Sequence, residues 1–167
     1  IICTSIAHKD KDLLKIVWKQ VEEFYKVQNL PESFKEHVMV RKYHESIFEA
    51  ASRVDDLELH EVLWELLLAC FVDREELKNM LVRKTDIDRC LMADCFRNRN
   101  SNVVEFMTKT LKDNFTNSQL QELIKADSNL LFNCLYVEDK KFEIFQIWWE
   151  FFKNIFQTSE QFVEFIE

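Results

Sequence analysis

The sequence predicts an all-α protein: an α-solenoid of about four stacked helical repeats of 40-45 residues, each with two antiparallel helices and a short third helix. Three observations carry this reading. A three-part pattern recurs four times in the 167 residues, and its closing segments are anchored at Phe34, Leu77, Leu120 and Phe162, spaced 43, 43 and 42 residues apart. A period in this range marks stacked helical repeats. Glycine is absent and Pro31 is the single proline, so the strongest helix breakers are nearly missing. Within each copy apolar residues recur at spacings of three and four, the period of one helix face. The copies then cover 1–44, 45–89, 90–129 and 130–167 of a single helical-repeat domain.

Each copy opens on a short apolar segment: Ile2-Cys3-Thr4-Ser5-Ile6, Ile47-Phe48-Glu49-Ala50-Ala51, Leu91-Met92-Ala93-Asp94-Cys95 and Leu131-Phe132-Asn133-Cys134-Leu135. Short polar stretches follow: Lys9-Asp10-Lys11-Asp12, Val54-Asp55-Asp56, Asn98-Arg99-Asn100-Ser101 and Glu138-Asp139-Lys140. Their Asp and Ser side chains suit helix N-caps, accepting hydrogen bonds from the free N–H groups of the helix to come.

That middle helix is clearest over 57–71, where Leu59, Val62, Leu63, Leu66, Leu67 and Cys70 share a face. Its counterparts carry Leu13, Leu14, Val17, Val21 and Phe24; Val103, Val104, Met107 and Leu111; and Phe142, Phe145, Trp148, Trp149 and Phe152. Trp18, Trp64, Met107 and Trp148 occupy matching places as large core side chains. The closing segments at 32–38, 75–81, 118–124 and 160–166 read as the short third helix, and Pro31 suits the first turn of one of them.

One such unit cannot bury its apolar face, so neighbours must stack to complete a core. Ile1, Ile2 and Ile6 at one end, and Phe162, Phe165 and Ile166 at the other, carry no polar capping repeat. Self-association through these uncapped ends is therefore expected of the chain on its own. The opening Ile1-Ile2 lacks an initiator methionine, and no basic flank or cleavage site of a signal peptide follows. The sequence reads as a piece of a longer array.

The absence of glycine excludes P-loops, dinucleotide fingerprints and nucleophile elbows, whose backbones need positive φ or close approach to a ligand. No uncharged apolar run nears the ~18 residues of a membrane span. Cys3, Cys70, Cys90, Cys95 and Cys134 are odd in number and contain no CxxC pair, which fits neither a disulfide framework nor a zinc site. Three of them lie in opening segments as small hydrophobes, so an intracellular compartment, cytoplasmic or nuclear, is expected. The sequon Asn114-Phe115-Thr116 is the one contrary sign.

No catalytic, cofactor or metal site is expected. His44-Glu45 and His60-Glu61 lack a second histidine four residues on, and His8, His37, His44 and His60 read as surface or capping residues. The paired carboxylates Glu22-Glu23, Asp55-Asp56, Glu75-Glu76 and Glu138-Asp139 fall at helix starts or on polar faces, where acidic groups complement the helix dipole. The aromatic cluster from Phe142 to Phe156 overfills one stripe of its helix, so Trp149 or Phe151 is expected to face a third helix or a partner.

The opening segments, best in Ile47-Phe48-Glu49-Ala50-Ala51, resemble the Leu-His-x-Ala-Ala helix of ankyrin repeats. The middle helices resemble that family's Glu-Val-Val-x-x-Leu-Leu helix in His60-Glu61-Val62-Leu63-Trp64, Asn102-Val103-Val104-Glu105-Phe106 and Phe142-Glu143-Ile144-Phe145. The chain departs from that family in its longer period, against about 33 residues, and in lacking the glycines of its turns. The resemblance is to a lengthened, degenerate, glycine-free repeat, and it implies a non-enzymatic scaffold that binds a protein partner on the concave face and inter-repeat loops.

Ser101-Asn102-Val103-Val104-Glu105 also resembles the second helix of Pumilio-type RNA-binding repeats. The locally basic stretch 78–112 is the place for such contacts, although 22 basic against 30 acidic residues, a net charge of −8, opposes phosphate binding and makes nucleic acid the lesser expectation. For the protein partner, the loops before the opening segments are the expected contacts: Arg41, Lys42, Tyr43 and His44; Thr85, Asp86, Asp88 and Arg89; Ala126, Asp127 and Ser128; with Trp149 beyond them.

Overall fold

The computed structural model describes residues 1–39, 46–83, 91, 95, 97–126, 141–156, 158 and 163. Among them the chain is all-helical. The first copy holds α1 (Ile2–Ala7), α2 (Lys11–Val27) and α3 (Pro31–Met39), and the second α4 (Ile47–Ser52), α5 (Leu57–Cys70) and α6 (Arg74–Leu81). The third holds α7 (Ser101–Asn114) and α8 (Asn117–Lys125), with Leu91 and Cys95 also helical. The fourth holds α9 (Lys141–Ile155). No helix among the described residues is long and apolar enough to cross a membrane.

The polar stretches cap helices as their chemistry demands. Asp10 accepts from the Leu13 N–H at 2.9 Å, Asp56 from Leu59 at 3.1 Å and Asn100 from Asn102 at 2.9 Å. Thr116 and Gln119 form a reciprocal capping box at the start of α8. Without glycine, Lys9 and Asn29 take the left-handed conformation after α1 and α2, at φ 57° and 55°. There the Lys9 N–H returns to the Ile6 carbonyl at 3.0 Å and the Leu30 N–H to Tyr25 at 2.9 Å, closing orphan carbonyls.

The long helices pack in chain order, α2 on α5, α5 on α7 and α7 on α9, while α1 lies on α4 and α6 on α8. Polar links follow the same period. Lys35 reaches Glu76, 41 residues on, at 2.6 Å; Gln119 reaches Glu75 across 44 residues at 2.9 Å; Arg83 reaches Glu36 across 47 at 3.0 Å. Lys78, buried against α8, bonds both Glu75 and Glu122. One contiguous apolar core runs from Ile2 to Phe156 through every described copy. Trp18 meets Phe34 edge-on at 5.7 Å, Phe48 meets Trp64 at 5.8 Å, and Trp148 stacks on Phe152 at 6.1 Å.

Three expectations need correction. Leu13, Phe24 and Phe142 are exposed instead of lying on the core face. In α2 the core face is Leu14, Val17 and Trp18, and Leu13 and Phe24 belong to a second apolar stripe. Phe142 sits in the first turn of α9 and is 73% exposed. Phe151, expected to face a third helix or a partner, is buried, with the Lys112 ammonium 5.4 Å from its ring centre, where α9 is covered by both α7 and α8. Asn114, within the sequon, is half-buried and donates to the Thr110 carbonyl at 2.8 Å.

Candidate functional site

The turn between α4 and α5 and the turn before α7 lie side by side and enclose a cleft of about 500 Å³. The second copy supplies Glu49, Arg53 and Asp55, and the third Arg97, Arg99 and Asn100. These turns stand in register, for Val54-Asp55-Asp56 and Asn98-Arg99-Asn100 occupy matching places 44 residues apart.

The register is fixed from below by His60 and Asn98, both buried. The His60 Nε2 lies 3.1 Å from the Ala51 carbonyl and 3.3 Å from that of Val54. Burial pushes the His60 pKa down from its ordinary 6.5, against the pull of those carbonyls, so the ring is neutral. His60 thus caps the end of α4 from within the core, an interior role that its polar character concealed in the sequence. The Asn98 amide nitrogen stands 3.1 Å from the same ring nitrogen, while its oxygen accepts the Asn100 N–H at 2.9 Å. Asn100 in turn donates to the Asp55 carboxylate, joining the two turns across the cleft.

On the rim, Arg53 bonds Glu49 at 2.8 Å, so one guanidinium carries its own counter-ion. The cleft therefore presents three arginines against two carboxylates, beside amide groups that both donate and accept. Its chemistry is that of mixed polar recognition. Among the described residues no group of three or more His, Cys, Asp or Glu is arranged to hold a metal ion.

A second groove of about 440 Å³ runs between α2 and α5, with Trp18, Lys19 and Glu22 on one wall and Leu66, Ala69 and Cys70 on the other. Burial pushes the Cys70 thiol up to about 11, with nearby Lys35 drawing it the other way.

Of the residues expected to contact a partner, Arg41, Lys42, Tyr43, His44, Thr85, Asp86, Asp88, Arg89, Asp127 and Ser128 lie outside the described residues. Ala126 is the half-buried C-cap of α8. Trp149 is half-buried, its ring 5.6 Å from Phe145. The cleft residues were legible only as helix caps; the signal for more was the arginine beside each cap in matching turns.

No protein-family model matches the chain, and no curated protein or solved structure matches it.

Proposed function

We propose that the chain is a non-enzymatic protein-interaction scaffold, an ankyrin-like α-solenoid whose turns between copies grip a protein partner. The observation that carries this reading is the pair of registered turns. A buried histidine and asparagine hold the frame, and the exposed side chains upon it differ from one copy to the next. A rigid frame lowers the ordering cost of binding, and stacked repeats form extended concave surfaces. An intracellular setting, cytoplasmic or nuclear, accompanies this reading, with Cys3 and Cys95 serving as buried hydrophobes.

One observation favours a second reading. Arg97 and Arg99, within the basic stretch 78–112, converge with Arg53 on one cleft, as an RNA-binding helical repeat would require. Glu49 and Asp55 stand among them, and the net charge of −8 repels phosphate, so the protein partner is preferred.

The test is affinity capture on the tagged chain with Arg97→Glu and Arg99→Glu beside the parent. A partner held by the parent and lost at least tenfold by the double variant supports the scaffold. Recovery of RNA with a steep loss on added salt, and no protein, overturns it.

A further inference from the structure

The cleft between the registered turns holds more donors and more positive charge than its own acceptors can satisfy. Arg53, Arg97 and Arg99 share it with two carboxylates, Glu49 and Asp55. A guanidinium carries about five N–H donors and a carboxylate about four acceptor sites, so three of the first outnumber two of the second before any bond is drawn. Those acceptors are also engaged within the protein. Glu49 takes Arg53 at 2.8 Å, and Asp55 takes Asn100. The Asn98 side-chain oxygen accepts the Asn100 N–H and the Asn100 oxygen the Asn102 N–H, each at 2.9 Å. Ser52 spends its hydroxyl hydrogen on the Glu49 carbonyl at 2.9 Å. The group that complements such a lining is an acceptor that bears charge.

The amount of charge narrows the class. Three arginines against two carboxylates leave one positive charge among the lining residues. A carboxylate cancels it, whereas a phosphate monoester of about −1.5 to −2 overshoots. The chain's net charge of −8 acts in the same direction, repelling a ligand that carries many negative charges. Arg97 and Arg99 come from one turn and Arg53 from the other, on backbone held by the buried His60 and Asn98. A guanidinium fork matches a carboxylate with two parallel hydrogen bonds.

Resting on the scaffold reading of this same cleft, we infer that it takes one glutamate or aspartate side chain, presented by an otherwise uncharged segment of the protein partner, with Arg97 and Arg99 as the fork that holds it.

Fluorescence anisotropy on the whole chain reads the result, with a labelled, end-blocked pentapeptide bearing one central glutamate among serines and alanines. It should bind about tenfold more tightly than the same peptide with glutamine, the worth of charge-assisted hydrogen bonds, and more tightly than the phosphoserine version. Arg99→Gln, at an exposed position, should erase the preference for glutamate. Arg99→Lys, which keeps the charge without the fork, should lower it several-fold. Asp55→Asn, also exposed, retains an oxygen for Asn100 and adds one positive charge to the cleft, so it should raise phosphoserine binding more than glutamate binding. Equal affinity for the glutamate and glutamine peptides, a preference that survives Arg99→Gln, or phosphoserine bound more tightly by the parent would each overturn the carboxylate site. The scaffold reading falls on a different result. Capture of RNA and no protein defeats it whatever the peptides do, while a protein captured through Arg97 and Arg99 without any glutamate preference removes only the carboxylate.

Discussion

Trp64→Ala tests whether neighbouring copies share one core. Trp64 is fully buried, its ring set 5.8 Å from Phe48, and it borders a void of only about 10 Å³ that Cys95 and Met107 of the third copy also line. An aromatic side chain removes about 150–250 Å² from water, worth about 4–6 kcal/mol at ~25 cal/mol/Å². Alanine keeps part of that, and measured truncations of this kind cost about 3–5 kcal/mol. The surrounding walls come from two copies already in close contact, so little collapse can refill the space. Urea unfolding followed by circular dichroism reads the loss, and Met107→Ala combined with it should show about 0.5–3 kcal/mol of coupling. A loss below about 1 kcal/mol, or strict additivity of the pair, would refute a core shared across copies.

Three further outcomes are expected. His60 has a folded-state pKa below its unfolded 6.5, so its contribution is complete above pH 6.5 and declines as pH falls below it, because the unfolded chain takes up the proton first. His60→Ala, measured by thermal melts across pH 5 to 8, should abolish that part of the slope and cost about 1–3 kcal/mol by removing the buried ring's contacts with the Ala51 and Val54 carbonyls. Lys9→Gly should stabilise by about 0.5–1 kcal/mol through relief at positive φ, and Asn29→Gly by less because asparagine tolerates that conformation; a fall in melting temperature for Lys9→Gly would contradict the turn geometry. Cys70, raised from 9.0 to about 11, should alkylate roughly a hundredfold more slowly than an exposed thiol at neutral pH, as peptide mass spectrometry after iodoacetamide would record.

The helices were legible because their signals are local. Apolar spacing marked α5 almost to the residue, and Asp10 and Asp56 announced their helix starts, while in the third copy Asn100 caps where Ser101 was expected to. The period of the closing segments anticipated contacts such as Lys35 with Glu76 and Gln119 with Glu75. Which face of an apolar helix turns inward was harder to read. Leu13 and Phe24 satisfy the spacing rule as well as Leu14 and Trp18 do, and only the neighbouring helix decides between them. His60 and Asn98 were hidden for a related reason: a polar side chain in the interior depends on partners that folding brings from elsewhere in the chain. The cleft was missed because its residues had a sufficient local explanation as caps, and its walls meet only when two turns 44 residues apart come together.

The contacts between copies bear on how this chain comes apart. Among the described residues the cross-copy hydrogen bonds reach no further than 47 residues along the sequence, so short loops must be closed to form them and ordering can begin at any point and spread outward. Loss of order should then run the opposite way, as a zipper opens, with amides of α1 exchanging their hydrogens well before those of α5 and α7.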